Sequence, residues 1–174
     1  MLNLSNAPGA IQAINAAGYS VEQRDSLLFG VRTSDGATGD EIDAAIMQID
    51  SDYSVSSSAD YVCKLIDAMA TAKRNKVIAP YSPGEMAAWS IKREEALKYQ
   101  AIPDVASAPN LNVEAQIRGI TLAELVTKVL NDAARFSAIE AAIAGTSGKH
   151  RDYVKNAATI EDIMVYDYNT GWPV

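Results

Sequence analysis

The chain is poor in the residues that most often carry chemistry: its 174 residues include one cysteine, Cys63, and one histidine, His150. A single cysteine excludes an intramolecular disulfide and a zinc site built from cysteines. No apolar run approaches the roughly 20 residues that a membrane-spanning helix needs. The first residues lack the basic and apolar regions of a signal peptide, so a reducing cytoplasm is the expected compartment.

Basic residues are also scarce. The 15 lysines and arginines stand against 22 aspartates and glutamates, which gives a net charge of -7 and a pI near 4.7. Binding to nucleic acid or to an anionic membrane depends on clustered basic side chains that neutralise phosphate. Neither is therefore expected as a partner, and the charge mainly favours solubility.

Aromatic residues make up only 7% of the chain, while alanine supplies much of the 48% apolar fraction. This balance favours helix over sheet. The charged fraction of 21% is ordinary for a globular protein. The length suits one domain, or one domain with a small appendage, with a real core.

Two helix-start signals stand out in the second half. Ser82 with Glu85, and Thr121 with Glu124, fit the capping box, in which a hydroxyl and a carboxylate satisfy each other's backbone N–H groups. They predict helices over residues 82–99 and 121–144, joined by a connector containing Pro103 and Pro109. The glycines of residues 145–148 predict a break or kink, and a shorter helical segment follows over about residues 150–158. Residues 159–162, Thr-Ile-Glu-Asp, are a third and weaker helix-start signal.

The first half predicts smaller elements. Helices are expected over residues 10–17, 40–49 and 60–76, and a strand over residues 26–33. The strand must pair with residues 19–21, with the C-terminal tail or with another chain. The Ser-rich residues 54–58 predict a loop whose last serine caps the next helix.

The predicted fold class is mainly α with a minor β element (α+β). It combines a small N-terminal α+β region, a helical hairpin domain and an aromatic tail that forms a terminal strand or a docking arm. The corresponding boundaries are 1–79, 80–158 and 159–174.

No motif assembles a catalytic, metal or cofactor site. Residues 145–149 lack the first glycine and the final hydroxyl of a phosphate loop, which indicates a turn. Residues 50–54 resemble the start of a calcium loop, but Val55 and Tyr61 occupy its glycine and glutamate positions. A solvated turn with a capping aspartate is expected there.

The remaining single residues and acidic pairs are each predicted to have a structural role or, for Trp172, a role in docking, and none is predicted to be catalytic. His150 is predicted to lie on a helix surface, and Cys63 to be a small buried hydrophobe. The adjacent acids Glu94 and Glu95 point apart on a helix, as do Glu161 and Asp162, so both pairs are expected on solvated faces. Trp89 is predicted to belong to the core, while Trp172 either folds back or docks on a partner.

Two segments resemble a known family. Residues 81–89, Tyr-Ser-Pro-Gly-Glu-Met-Ala-Ala-Trp, with the charged helix 92–98, resemble the YSPxExxxW…EA block of bacteriophage tail proteins. Residues 118–126, with residues 131–143, resemble the RGIxxxELxxxVxxxAxxF block that follows it. Such blocks occur in small proteins encoded near tail-fibre genes, which are described as tail-fibre assembly proteins or uncharacterised tail proteins.

The resemblance implies a non-enzymatic protein that binds a phage tail fibre or baseplate protein, as a transient assembly chaperone or as a retained adaptor. It would act in the host cytoplasm during assembly, or in the virion tail, without a cofactor. Two other functions stay open: a self-assembling tail or baseplate subunit, and a small nucleotide-binding module or enzyme that uses Lys149 and His150. The expected partner-binding residues are Leu125, Val129, Phe136, Tyr166, Tyr168 and Trp172.

Overall fold

The computed structural model describes residues 2–24 and 27–173. Within these ranges, seven α-helices, one two-stranded sheet and a 3₁₀ turn at Val105–Ser107 confirm the mainly α fold with a minor β element. The helices and strands are, in chain order, α1 Ala10–Ala16, β1 Tyr19–Arg24, β2 Leu27–Arg32, α2 Asp40–Ser51, α3 Val55–Ile78, α4 Pro83–Ala101, α5 Pro109–Arg118, α6 Leu122–Lys155 and α7 Ile160–Val165.

The chain divides into two compact units. Unit 1 comprises Met1–Ala70 and Thr146–Gly171, and unit 2 comprises Thr71–Gly145 and Trp172–Val174. The division falls inside α3 and α6. The compact units therefore do not follow chain order as the predicted regions do, because the chain returns to unit 1 after residue 145.

The small sheet belongs to unit 1. β1 and β2 pair antiparallel, from Tyr19 opposite Arg32 to Arg24 opposite Leu27. Of the three pairings expected for the predicted strand, the one with the segment that begins at Tyr19 is found. Ser26, where that predicted strand starts, lies outside the described residues.

Apolar side chains from α1 and α2 form the core beside this sheet. Ile14 and Ile46 are fully buried, and Leu2 and Ile42 join them. Gly30 of β2 lies so close to α2 that an added Cβ would be 2.5 Å from the Ile46 side chain. A larger residue at this contact would have to displace the buried Ile46 side chain, so glycine lets the sheet lie close to the helix.

Asp50, at the end of α2, is a buried charged residue of the same unit. Its carboxylate accepts hydrogen bonds from the Ser5 N–H at 2.7 Å and the Ser5 hydroxyl at 2.9 Å. The prediction of a solvated turn at this residue was wrong. The carboxylate ties the N-terminal segment to α2, and its partner lies 45 residues away, where local pattern gives no signal.

The Ser-rich segment is helical, so the predicted loop over residues 54–58 was wrong. α3 begins at Val55, and the Ser54 hydroxyl accepts a hydrogen bond from the Ser57 N–H at 3.1 Å. Capping therefore occurs four residues earlier than expected. Ser58, the predicted cap, is instead fully buried in the first turns of α3.

Unit 2 contains a cluster formed by α4, α5 and the first turns of α6. Its members are buried and are mainly small or branched aliphatic residues: Ala96, Ala108, Leu111, Ala115, Leu122, Leu125 and Val126. The predicted connector contains the whole of α5, a helix that was not predicted from the sequence. The two predicted helices of the hairpin are thus separated by a third one.

Glu95 holds α5 in place. Its carboxylate accepts hydrogen bonds from the Leu111 N–H at 3.0 Å, the Asn110 N–H at 3.4 Å and the Asn110 side-chain amide at 2.5 Å. Ala108, at the N-cap of α5, has no side chain that can accept these bonds. Glu95 is buried, so the prediction of a solvated position was wrong. Its carboxylate, which belongs to α4, takes the place of the side-chain N-cap that α5 lacks.

α6 runs through the predicted break. It is helical from Leu122 to Lys155, including Gly145 and Gly148, so the expected break was wrong. A glycine inside a helix costs only about 1 kcal/mol relative to alanine. Burial of Ser147, His150 and Val154 along one face opposes that cost.

The helix-start signals are confirmed to different degrees. Thr121 and Glu124 form a reciprocal capping box, with bonds of 3.2 and 2.8 Å, and Thr159 forms another with Asp162. At α4, the Ser82 hydroxyl accepts the Glu85 N–H at 3.2 Å. The starts of α4, α6 and α7 therefore lie within one residue of their predicted caps.

Replacing either glycine of α6 by alanine should stabilise the protein. A Cβ at Gly145 or Gly148 meets nothing within 4 Å. Each substitution should raise the free energy of unfolding by about 0.5–1 kcal/mol, measured by urea denaturation followed by circular dichroism. Gly119→Ala is the opposite control, because its φ of 66° favours glycine and the variant should be destabilised. A loss of stability at both α6 positions would contradict a continuous helix.

Removing the Glu95 carboxylate should weaken unit 2. Glu95→Ala leaves two N–H groups of α5 without their acceptor and should cost about 2–3 kcal/mol, since hydrogen bonds to charged groups are the strong ones. Both tryptophans belong to unit 2, so urea unfolding followed by tryptophan fluorescence reports on it. Glu94→Ala, at the exposed neighbouring residue, should leave the midpoint unchanged. Equal effects of the two variants would disprove the role given to Glu95.

Candidate partner-binding groove

An aromatic cluster lies in a groove of unit 2 between α4 and α6. The ring centroids of Trp89 and Phe136 are 4.6 Å apart, and Tyr81 lies 5.0 Å from Trp89 and 5.6 Å from Phe136. These separations are typical of favourable edge-to-face and tilted ring pairs. All three side chains are only half-buried, so the prediction that Trp89 belongs to the core holds only in part.

The α6 wall of the groove carries the apolar side chains. Val129, Ala133 and Phe136 recur at helical spacing and are half-buried. Leu125 lies at one end of this row, where it is 1% exposed and packs in the unit 2 core. Of the three predicted partner-binding residues on α6, Val129 and Phe136 face the groove with accessible surface, and Leu125 supports it from the core.

The groove has a volume of about 680 Å³ and is open to solvent. Its rim is charged. α4 contributes Glu85, Lys92 and Arg93, α5 contributes Glu114 and Arg118, and α6 contributes Lys128 and Asp132. An apolar floor with a polar rim is the usual organisation of a protein–protein interface.

Three of the rim charges form a network. The Lys92 ammonium lies 2.7 Å from one oxygen of Glu114, and the Arg118 guanidinium lies 3.0 Å from the other. The hydrogen bond from Lys92, and then that from Arg118, hold the pKa of Glu114 below its ordinary value despite an opposing effect of burial. The network ties α4 to α5 along one side of the groove.

Arg93 and Lys128 are different. Both line the groove, both are exposed, and neither has an ion-pair partner among residues 2–24 and 27–173. Their charges are available to a partner that enters the groove. This main electrostatic feature was not predicted from the sequence. The spacing of Trp89 and Arg93, four residues apart on one helix, was the available signal.

A second, smaller pocket of about 310 Å³ adjoins the groove and shares Tyr81, Asp132 and Phe136 with it. It adds three basic side chains, Lys73, Lys76 and Arg135, and Pro173 from the end of the chain. Trp172, a predicted partner-binding residue, is half-buried in the same unit. We call the groove and this pocket together the aromatic–basic surface.

The remaining predicted residues lie in unit 1. His150 is buried, so the expected surface position was wrong. Its Nε2 lies 3.0 Å from the Thr170 carbonyl and its Nδ1 lies 2.6 Å from the Tyr166 hydroxyl. A carbonyl only accepts, so Nε2 donates; in the neutral ring, Nδ1 accepts the Tyr166 O–H.

These bonds hold the C-terminal tail on α6. Tyr166 also stacks on Tyr153, with ring centroids 3.8 Å apart, and burial raises its pKa, with Tyr153 and Asp167 adding to the shift. Residues 166–173 form no strand, so of the two alternatives expected for the tail, the terminal strand is not found and the docking arm stays a prediction. Tyr166 and Tyr168 are both half-buried, and their role in partner binding stays a prediction.

This cluster offers little to catalysis. Both ring nitrogens of His150 are engaged in hydrogen bonds, and Lys149 is exposed on α6.

Cys63 is buried as predicted, and burial raises the pKa of its thiol. Among the residues that the structure describes, no three His, Cys, Asp or Glu side chains are placed to hold a metal ion. No helix in the described ranges is both long and apolar enough to span a membrane.

Comparisons of the chain with protein-family models, with curated proteins and with solved structures find no match. The resemblance to phage tail proteins therefore stays a prediction from the sequence. Support for a function comes from that resemblance and from the geometry of unit 2.

The Glu114 network should make unit 2 sensitive to acid. The folded-state pKa of Glu114 lies below the ordinary 4.5, so its contribution to stability is present above about pH 4.5 and is lost as the pH falls through the folded-state value. Glu114→Gln should therefore reduce the loss of stability below pH 4.5, measured by urea unfolding at a series of pH values. Lys92→Met should act likewise. The exposed, uncharged Gln116→Ala is the control, and an unchanged acid dependence in Glu114→Gln would contradict the network.

Proposed function

We propose that this chain is a non-enzymatic phage tail protein that binds the tail fibre through the groove of unit 2, as an assembly chaperone or as a retained adaptor. The observation that carries the proposal is the half-buried cluster of Tyr81, Trp89 and Phe136. Tyr81 and Trp89 belong to the first family-like block and Phe136 to the second. The two blocks thus meet at one surface.

The physical chemistry of the groove favours a protein partner. Tryptophan, tyrosine and arginine dominate the binding energy of protein interfaces, and the groove offers Trp89, Tyr81 and Arg93 together. A groove between two helices with apolar residues at helical spacing suits a helical or extended segment of another chain. Covering the aromatic rings would remove apolar surface from water, which drives such association.

The proposal covers two roles that differ in what happens after assembly. A chaperone binds the fibre in the host cytoplasm and is released, whereas an adaptor stays in the virion tail. Mass spectrometry of purified mature particles separates the two. Either result is compatible with the groove as the binding surface.

Truncating the aromatic cluster should strongly weaken fibre binding. Trp89→Ala and Phe136→Ala should each reduce the amount of the neighbouring tail-fibre product that copurifies from a coexpressing cell by at least about tenfold, because each removes a central anchor. Circular dichroism checks that each variant is folded.

Ile91→Ala provides the matched control. Ile91 lies on the same helix as Trp89, is 53% exposed and does not line the groove. It should leave copurification unchanged. Failure of the unaltered protein to bind the fibre would contradict the proposed function, and equal losses in all three variants would contradict the assignment of the groove.

A further inference from the structure

The charge of the protein is unevenly distributed. Unit 1 contains six basic and fourteen acidic residues, a net charge of -8, while unit 2 contains nine basic and eight acidic residues, a net charge of +1. Within unit 2, the aromatic–basic surface is lined by seven basic and only three acidic residues. An acidic protein therefore has a locally basic surface in unit 2, and this surface includes the half-buried aromatic rings.

Most of these basic side chains are not neutralised. Lys92 and Arg118 both bind Glu114. The other five have no ion-pair partner in the described part of the chain: Lys73, Lys76, Arg93, Lys128 and Arg135. Basic residues elsewhere in the unit are paired, Lys98 with Glu94 and Arg74 with Glu140. Within unit 2, the unpaired positive charge is thus concentrated around the groove and its adjoining pocket.

We propose that the groove binds an acidic peptide segment that carries aromatic or aliphatic anchors. The inference rests on the proposed function and names the chemistry of the partner segment. The anchors cover Trp89, Val129 and Phe136, and carboxylates of the segment meet Arg93 on the α4 wall and Lys128 on the α6 wall. The charges select the partner and accelerate its approach, while the rings supply most of the affinity.

Two other occupants fit the surface less well. Nucleic acid binding needs several phosphate contacts, and the net charge of -7 repels a long polyanion even though the groove is locally basic. A second copy of the chain meets the same repulsion, since both molecules carry this charge. A short acidic segment brings only a few negative charges and places them directly against the unpaired cations.

Selection from a library of random peptides, each about 12 residues long, tests the proposal and does not require the fibre itself. The intact protein is the target of the selection. Peptides that also bind the Trp89→Ala variant are discarded, because they do not depend on the groove. The proposal predicts selected peptides that combine net negative charge with aromatic or aliphatic residues. Neutral or basic peptides, or no enrichment at all, would overturn it.

Charge reversal provides the second measurement. Arg93→Glu with Lys128→Glu should weaken binding of a selected peptide at least about tenfold in fluorescence polarisation, and should enrich basic peptides when selection is repeated. Lys98→Glu, on α4 but outside the groove, should change neither result. Unaltered affinity in the double variant would overturn the proposal even if the fibre binds.

Two further controls identify the alternatives. Tight binding of a single-stranded oligonucleotide that the Trp89→Ala variant loses would overturn the proposal in favour of nucleic acid. Self-association in light scattering that the same variant abolishes would overturn it in favour of a second copy. If peptides are selected as expected but the fibre does not bind, the proposed function fails and the acidic-segment site stands.

Discussion

The arrangement of unit 2 depends on one buried carboxylate. Glu95 of α4 accepts the first N–H groups of α5, a helix whose own N-cap residue, Ala108, cannot do so. This contact fixes α5 against α4, and α5 in turn supplies Glu114 and Arg118 to the rim of the groove. Burying a carboxylate is costly unless it is fully hydrogen-bonded, so the three bonds to Asn110 and Leu111 are a requirement of the fold and not an addition to it.

Local signals predicted the helix starts well. The capping boxes at Thr121 and Thr159 each involve two residues three positions apart, so both partners are visible in one short segment of the sequence. The fold class followed from alanine content and helical periodicity. Continuity of α6 could not be predicted in this way, because burial of Ser147 and His150 opposes the cost of its glycines, and burial depends on distant parts of the chain.

The candidate site was predictable only in part. Phe136 and Val129 were expected to face a partner because they lie on the predicted helix over residues 121–144, and both line the groove. Leu125 lies on the same helix, but it packs in the core that α5 helps to form, and α5 was not predicted from the sequence. The unpaired state of Arg93 and Lys128 is a property of the folded unit, since it depends on which carboxylates lie nearby. Sequence spacing therefore indicates which residues can share a surface, and the fold decides which of them stay accessible.

Photo-crosslinking of the assembled complex tests whether the groove of unit 2 contacts the tail fibre, as we propose. A photoreactive phenylalanine analogue is placed at Phe136, on the groove, and at Ile91, which is exposed on α4 outside it. After illumination of cells that produce both proteins, we expect a covalent product with the fibre from position 136 and none from position 91. A product from position 91 alone would contradict the proposed contact.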